Sequence, residues 1–313
     1  MSRIHEALKR AELERTGAAP VNVSPAPSDR RVNSGTETSK VAPVSATSVL
    51  AQPQRVATVP EGALLFSDIV AHCAHPEWSP DPKINVFSDP DLSVDGAEQF
   101  RTLRSRIYQM RGDQPFRTLL ITSSLSGEGK TFVTSNLAHA IVRQYERRAL
   151  LIDGDLRCSR LHVPLRAPAS PGLSDYLRGD ADLFSVIQYG HQGNLCFIPG
   201  GSQSADPSEL LANGRMKLLL DRVASAFDWV LIDSPPCLPV ADANVLAELC
   251  DGVLFVVKAH STPAAVVEKA GREMQGRNVI GVIMNHVAEQ TLGYSSYYRS
   301  GYHDPDNAGA SEE

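Results

Sequence analysis

The sequence predicts an α/β fold built on a mostly parallel, doubly wound sheet, and three observations carry that reading. Short apolar runs rich in branched residues recur from residue 118 onward. Helix-length stretches alternate with them, which is the order of a sheet covered on both faces. The residues that follow several runs are glycines or aspartates, and open α/β sheets gather their chemistry at strand carboxyl ends. The strand-like runs are Thr118–Ser123, Ala149–Asp153, Leu195–Pro199, Trp229–Asp233, Gly252–Val257 and Val279–Asn285. Helices are expected around Lys130–Tyr145, Pro207–Ala224, Ala241–Leu249 and Pro263–Gln275.

Five parts are expected along the chain: 1–16, 17–60, 61–97, 98–290 and 291–313. Ser2 to Arg15 reads as a short amphipathic helix, with Ile4, Ala7, Leu8 and Ala11 on one face. A helix that short is marginal alone in water, so a docking partner or a fraying terminus are the two readings. Gly17 to about Pro60 is rich in Ala, Pro, Ser, Thr and Val, without periodicity or aromatics. Such a segment cannot bury enough surface to offset its ordering entropy, and a disordered linker is expected. Leu64 to Val70 suggests a helical turn, and Pro76 to Pro90 an extended, proline-punctuated approach to the core. A helix from Glu98 to about Met110 follows, with Phe100, Leu103 and Ile107 as its apolar stripe. Glu98, Arg101 and Arg104 recur every three residues along a neighbouring face, either as a solvated face or as a contact surface.

Composition narrows the function classes. The 313 residues are 42% hydrophobic, enough for a real core, and the net charge of −6 argues against a nucleic-acid binder that relies on bulk electrostatics. The five cysteines form no C-x-x-C pair and read as reduced thiols of a cytoplasmic protein. The first ten residues are charged and lack an apolar core, so no signal peptide is read there, and no run is long enough to span a bilayer.

The chemistry begins at Ile121-Thr122-Ser123-Ser124-Leu125-Ser126-Gly127-Glu128-Gly129-Lys130-Thr131. It lies between a predicted buried strand and a predicted helix, the setting of a phosphate-binding P-loop. Gly127 and Gly129 let the backbone turn tightly and aim its N–H groups at an anion. Lys130 supplies a point charge for the β- and γ-phosphates, and the Thr131 hydroxyl can ligate Mg²⁺. The strict pattern has a glycine where this chain has Ser124. Ser126, Glu128 and Phe132 complete the expected nucleotide-binding stretch. Downstream, Asp153 and Asp155 follow one apolar run, and Asp233 follows another. Carboxylates at the ends of buried strands are costly unless they meet a cation. Mg²⁺ takes hard oxygen ligands and keeps several waters, so a Thr hydroxyl, phosphate oxygens and water-bridged carboxylates form a consistent set.

Taken together, Gly127-Glu128-Gly129-Lys130-Thr131, Asp153-Gly154-Asp155-Leu156-Arg157 and Asp233-Ser234-Pro235-Pro236 resemble the Walker A, A′ and B motifs of the bacterial tyrosine kinases of capsule and exopolysaccharide export. The resemblance runs from about Glu98 to Tyr302 and includes Pro207-Ser208-Glu209-Leu210-Leu211, Asp242-Ala243 and the strand ending in Asn285. It implies a P-loop fold of the MinD/ParA-like type that uses ATP and Mg²⁺. Asp153 would accept or orient the tyrosine proton, Asp155 and Asp233 would hold Mg²⁺ through water, and Asn285 would contact adenine. Glu98, Arg101 and Arg104 match the family's E-x-x-R-x-x-R element, through which subunits form a ring. A membrane activator of the polysaccharide copolymerase type is also implied, holding the kinase at the inner face of the plasma membrane. The chain departs from the family in Ser126, where proline is usual, and in Cys158-Ser159 after Arg157.

Tyr294, Tyr297, Tyr298 and Tyr302, half of the chain's eight tyrosines, fall within nine residues among Gly and Ser. The resemblance implies that these are the autophosphorylated cluster. Rival readings are a MinD/ParA-like ATPase switch, which would carry a signature Lys where this chain has Leu125, and a non-catalytic ATP-binding regulator of polysaccharide chain length.

Overall fold

The computed structural model describes residues 62–88, 94–112, 116–190 and 193–287. The expected N-terminal helix, linker and tyrosine cluster lie outside these residues. The described elements run in chain order as follows: α1 (Phe66–His72), α2 (Val94–Arg111), β1 (Thr118–Ser123), α3 (Lys130–Val142), β2 (Arg148–Asp153), α4 (His162–Leu165), α5 (Leu173–Arg178), α6 (Leu183–Val186), β3 (Gln188–Gly190), β4 (Asn194–Ile198), α7 (Pro207–Ala212), α8 (Arg215–Val223), β5 (Trp229–Asp233), α9 (Asp242–Leu249), β6 (Gly252–Lys258), α10 (Ala264–Glu273) and β7 (Val279–Asn285). The sheet order is β3-β4-β2-β5-β1-β6-β7, parallel throughout except for the antiparallel β3–β4 pair.

The apolar runs form strands because side chains alternate between two faces, both buried in the central strands and partly covered at the edge strand β7. Leu120, Leu150, Ile152, Val230 and Ile232 enter the core beneath α5, α8, α9 and α10. Leu119, Ile121, Leu151, Trp229 and Leu231 enter the opposite core, with Phe100 and Ile107 of α2 and Leu137 and Ile141 of α3. Arg104 folds onto the second of these layers and donates to the carbonyl of Ala140 at 2.6 Å. Trp229 is wholly buried and meets the rings of Tyr108 and Phe116 edge-on at 5.6 and 5.7 Å.

The six expected strands are present, and β3 is an addition. Only three residues long, it is held from outside the sheet. Ala74 N–H donates to Ile187, and Tyr189 N–H donates to Ala74. The segment from residue 62 is thus a packed strap: α1 buries Ile69, and Trp78 donates to the Gln188 side chain at 3.3 Å. The helical turn expected at Leu64–Val70 is present as α1. The extended approach expected from Pro76 holds to about Asp81, after which the chain turns, with Ile84 and Asn85 N–H both donating to the Asp81 carbonyl. The long helix expected at Pro207–Ala224 is two helices, broken where Gly214 takes a φ of 81°, a left-handed conformation that ends a helical run. α2 begins four residues earlier than expected, at Val94.

Trp229→Ala should lower stability by about 3–5 kcal/mol, the range for emptying a buried aromatic site. Urea unfolding checks it: the midpoint should fall with the slope unchanged.

Candidate functional site

The carboxyl ends of β1, β2, β5 and β7 bring the expected phosphate, metal and adenine residues to one edge of the sheet. The loop after β1 closes on itself through Glu128, which is only 2% exposed. One carboxylate oxygen accepts Leu125 N–H at 2.7 Å, and the other accepts the Thr262 hydroxyl and Lys258 N–H. This side chain is therefore an internal brace between the loop and the turn after β6. Gly129 has a φ of 97°, and a Cβ there would collide with the Asn285 amide. Asn285 donates to the Glu128 carbonyl at 2.9 Å, which seats the end of β7 against the shoulder of the loop.

α3 starts directly after Gly129. Its first amides lack acceptors within the helix, and the first backbone bond runs from Val133 to Gly129 at 2.9 Å. The amides of Lys130, Thr131 and Phe132 are thus available to an anion, reinforced by the helix dipole. Lys130 is buried to 8% exposure beside them. The Phe132 ring packs on Phe100 at 5.7 Å, leaving only its backbone to serve the loop. Ser126 and Gly127 stand exposed at the loop tip.

Thr131 donates to Asp233 at 2.6 Å, and the Thr134 hydroxyl lies 3.5 Å from the other Asp233 oxygen. Parallel pairing of β2 with β5 sets Asp153 directly beside Asp233. Burial, then the adjacent Asp153 carboxylate, push the Asp233 carboxyl up to about 8. Burial raises Asp153 to about 6, against the pull of hydrogen bonds from Ser159 and Leu161. Asp153 has both oxygens engaged: one accepts the Ser159 hydroxyl at 2.7 Å and Leu161 N–H at 2.9 Å, the other Asp155 N–H at 3.2 Å. Asp155, two residues on, is half-exposed and has one oxygen on Cys158 N–H at 3.0 Å. Thus Asp155 is the accessible carboxylate of the pair, and Asp153 shapes the turn that carries it.

That turn is clamped from outside. Arg157 reaches the buried Asp242 through two nitrogens at 2.8 and 3.1 Å and touches the Ser208 hydroxyl at 2.9 Å. Ser208 also donates to Asp242. The guanidinium and these hydrogen bonds hold the Asp242 carboxyl below its ordinary range despite burial. The clamp joins the starts of α7 and α9 to the Asp155 turn. Sequence reasoning assigned no role to Ser208, Asp242, Thr134, Ser159 or Thr262, although Ser208 and Asp242 lie in segments that carried the family resemblance and Thr134 stands three residues after Thr131 on the same helix.

The residues fit a hydrated Mg²⁺ better than a closed metal cage. Oxygen donors from Thr131, Asp233 and Asp155 cluster at the phosphate end of α3. Among the described residues no group of three or more His, Cys, Asp or Glu forms a metal cage. Mg²⁺ favours this sparse arrangement, since it retains waters and borrows phosphate oxygens.

Glu98, Arg101 and Arg104 lie on α2, outside this cluster. Glu98 and Arg101 are exposed and pair with each other, whereas Arg104 is spent within the chain on Ala140.

Comparison with known proteins agrees with this geometry. A family model described as cellulose biosynthesis protein BcsQ matches residues 117–285. The tyrosine-protein kinase CpsD of Streptococcus agalactiae is 34% identical over 210 residues, covering 66% of this chain and 90% of CpsD. The tyrosine-protein kinase YwqD of Bacillus subtilis is 32% identical over 203 residues, covering 64% and 85%. The kinase domain of the Escherichia coli tyrosine kinase ETK superposes with a TM-score of 0.61 at 34% identity, covering 64% of this chain and 78% of that one. At this identity and coverage, and with a fold that superposes on such a kinase domain, the chain belongs to the bacterial tyrosine kinase family.

Proposed function

We propose that this chain is an ATP-dependent protein-tyrosine kinase that phosphorylates its own Tyr294, Tyr297, Tyr298 and Tyr302 and regulates capsule or exopolysaccharide export. The observation that carries the reading is the Thr131–Asp233 contact at 2.6 Å, set below the open amides of α3 and beside Asp153. Phosphoryl transfer needs positioning and neutralisation of charge more than covalent help from the protein. Lys130 and the first amides of α3 hold the phosphates, and the brace through Glu128 keeps the loop in that shape. Thr131 and Asp233 would hold Mg²⁺, which when bound would neutralise charge on the β- and γ-phosphates and leave Asp155 for the proton. The tyrosine proton passes to Asp155, because Asp153 is buried with its oxygens taken. The role first given to Asp153 therefore moves two residues along the chain.

No described helix is long and apolar enough to cross a membrane. The matching family model is described as a cellulose biosynthesis protein, and with the family resemblance this supports recruitment by a membrane protein of the polysaccharide copolymerase type. It also supports self-association into a ring at the inner face of the membrane. Glu98 and Arg101 are the exposed contact groups of that ring, and Arg104 supports it by holding α2 on α3.

Incubation with Mg·ATP should add phosphate to the tyrosine cluster, read by intact mass and peptide mapping. Lys130→Met should abolish it, and labelling that persists in this variant, or that is confined to Ser and Thr, would contradict the assignment. Arg101→Ala should shrink the assembly in sedimentation without lowering the melting temperature, whereas Arg104→Ala should lower both.

The buried carboxyl predicts a pH dependence. Asp233 moves from 3.8 to about 8 on folding, so the native state holds a proton that the unfolded chain releases. Without nucleotide, its contribution to stability is fully present below about pH 4 and is lost as pH rises towards 8. Asp233→Asn should flatten that slope. Binding of Mg·ATP should expel the proton at pH 7 and strengthen as pH rises from 6 to 8. Calorimetry in buffers of different ionisation enthalpy would register the release, and its absence would refute the role of Asp233.

A further inference from the structure

We propose that Tyr145 is phosphorylated by a second copy of this chain, and that its phosphate is received by an arginine-lined cavity at the strand-start pole of the sheet. The proposal rests on the kinase activity proposed above, and it adds an acceptor outside the tail. Four of the chain's tyrosines lie among the described residues. Tyr108 has a buried hydroxyl, Tyr176 is 7% exposed, and Tyr189 packs against Phe66 and His75. Tyr145 is 89% exposed. It stands in the tight turn between α3 and β2, where Arg147 N–H closes onto the Gln144 carbonyl at 3.1 Å and Glu146 takes a φ of 58°. A non-glycine residue in that region marks a backbone held in place by its surroundings.

Beside Tyr145 lies a cavity of about 400 Å³ to which Arg117, Arg147 and Arg148 contribute, with Glu146 and Asp228 as its acidic members. Asp228 is already satisfied: Arg147 takes one oxygen at 2.8 Å and Arg148 N–H the other at 3.0 Å. Arg117 uses one nitrogen on the carbonyls of Ser225 and Phe227. Arg148 lays its guanidinium over the Phe66 ring at 4.7 Å, and among the described residues that group makes no hydrogen bond or ion pair. Three arginines thus face two carboxylates, with the fork of Arg148 and further nitrogens of Arg117 unspent. A phosphotyrosine brings roughly −1.5 to −2 charge and acceptor oxygens that suit such forks.

Geometry requires that the donor be another molecule. β2 begins at Arg148 beside the cavity and ends at Asp153 in the nucleotide site, five steps that separate the poles by about 16 Å. The turn cannot cross a rigid sheet to its own Lys130. In the step itself, the Tyr145 hydroxyl oxygen of one copy forms a bond to the γ-phosphorus of ATP held by the other. The bond from that phosphorus to the β,γ-bridging oxygen breaks, ADP leaves, and the phenolic proton passes to Asp155 of the donor copy.

The test mixes isotopically heavy Lys130→Met chains with ordinary wild-type chains and Mg·ATP, followed by phosphopeptide mapping. Phosphate on Tyr145 of the heavy chains, absent when these are incubated alone, is the expected result. Tyr145→Phe should leave labelling of the tail unchanged. A fully labelled tail with Tyr145 bare would overturn this proposal and leave the kinase assignment intact. No label on any chain would overturn the kinase assignment and this proposal with it. The cavity is tested by alkaline phosphatase: release from Tyr145 should be about ten-fold slower than from the tail, as expected if one charge-assisted bond must break. Arg148→Ala should erase the difference and Arg148→Lys keep most of it. Equal release rates in the wild-type protein would overturn the cavity's role.

Discussion

Asp153 and Asp233 are forced side by side at the dry end of a parallel sheet, and the rest of the site answers that constraint. Both carboxyl groups lose water, and Asp153 adds to the cost of ionising Asp233. The surroundings respond with donors. Ser159, Leu161 and Asp155 supply Asp153, while Thr131 and Thr134 approach Asp233. Asp233 meets this cost by keeping its proton at neutral pH, and a cation arriving with bound phosphates would displace that proton.

A second layer of contacts keeps that arrangement from relaxing. Glu128 ties the phosphate loop to the turn after β6, and Asn285 ties it to β7. The Arg157–Asp242–Ser208 clamp ties the Asp155 turn to two helices on one face. Its carboxylate is buried, so losing the arginine would leave a charge without a partner inside the fold. Such bracing matters for chemistry that depends on positioning, because small displacements of a reacting group are costly. The strap from residue 62 plays a similar part at the far edge, where the Ala74 contacts complete the short β3.

Local pattern sufficed wherever one stretch of chain carried the whole cause. The six long strands were legible because each is a continuous apolar run, buried on both faces in all but the edge strand β7, and the phosphate loop because glycine, lysine and threonine stand within a few residues. The strand-end aspartates were legible as a group, since parallel strands must present their last residues on one edge. By contrast, β3 was illegible because three residues have no periodicity, and its support comes from a strap more than a hundred residues away. The break at Gly214 had a local signal in Asn213-Gly214, but the apolar spacing on either side masked it.

By itself, then, the order of residues determined the fold class, the place of the nucleotide site and the family, all properties set by neighbours in the chain. Tertiary structure decided which carboxylate is the more exposed. Asp153 and Asp155 are alike in sequence, and they differ only because Ser159 and Leu161 fold back to occupy the first. It likewise assigned Arg104 to Ala140 within its own chain and left Glu98 and Arg101 at the surface. It also gathered Arg117, Arg147 and Arg148 around one cavity, from the starts of β1 and β2, two strands that flank β5 in the sheet. Burial and the partners of a hydrogen bond are properties of the packed chain, and no single stretch contains them.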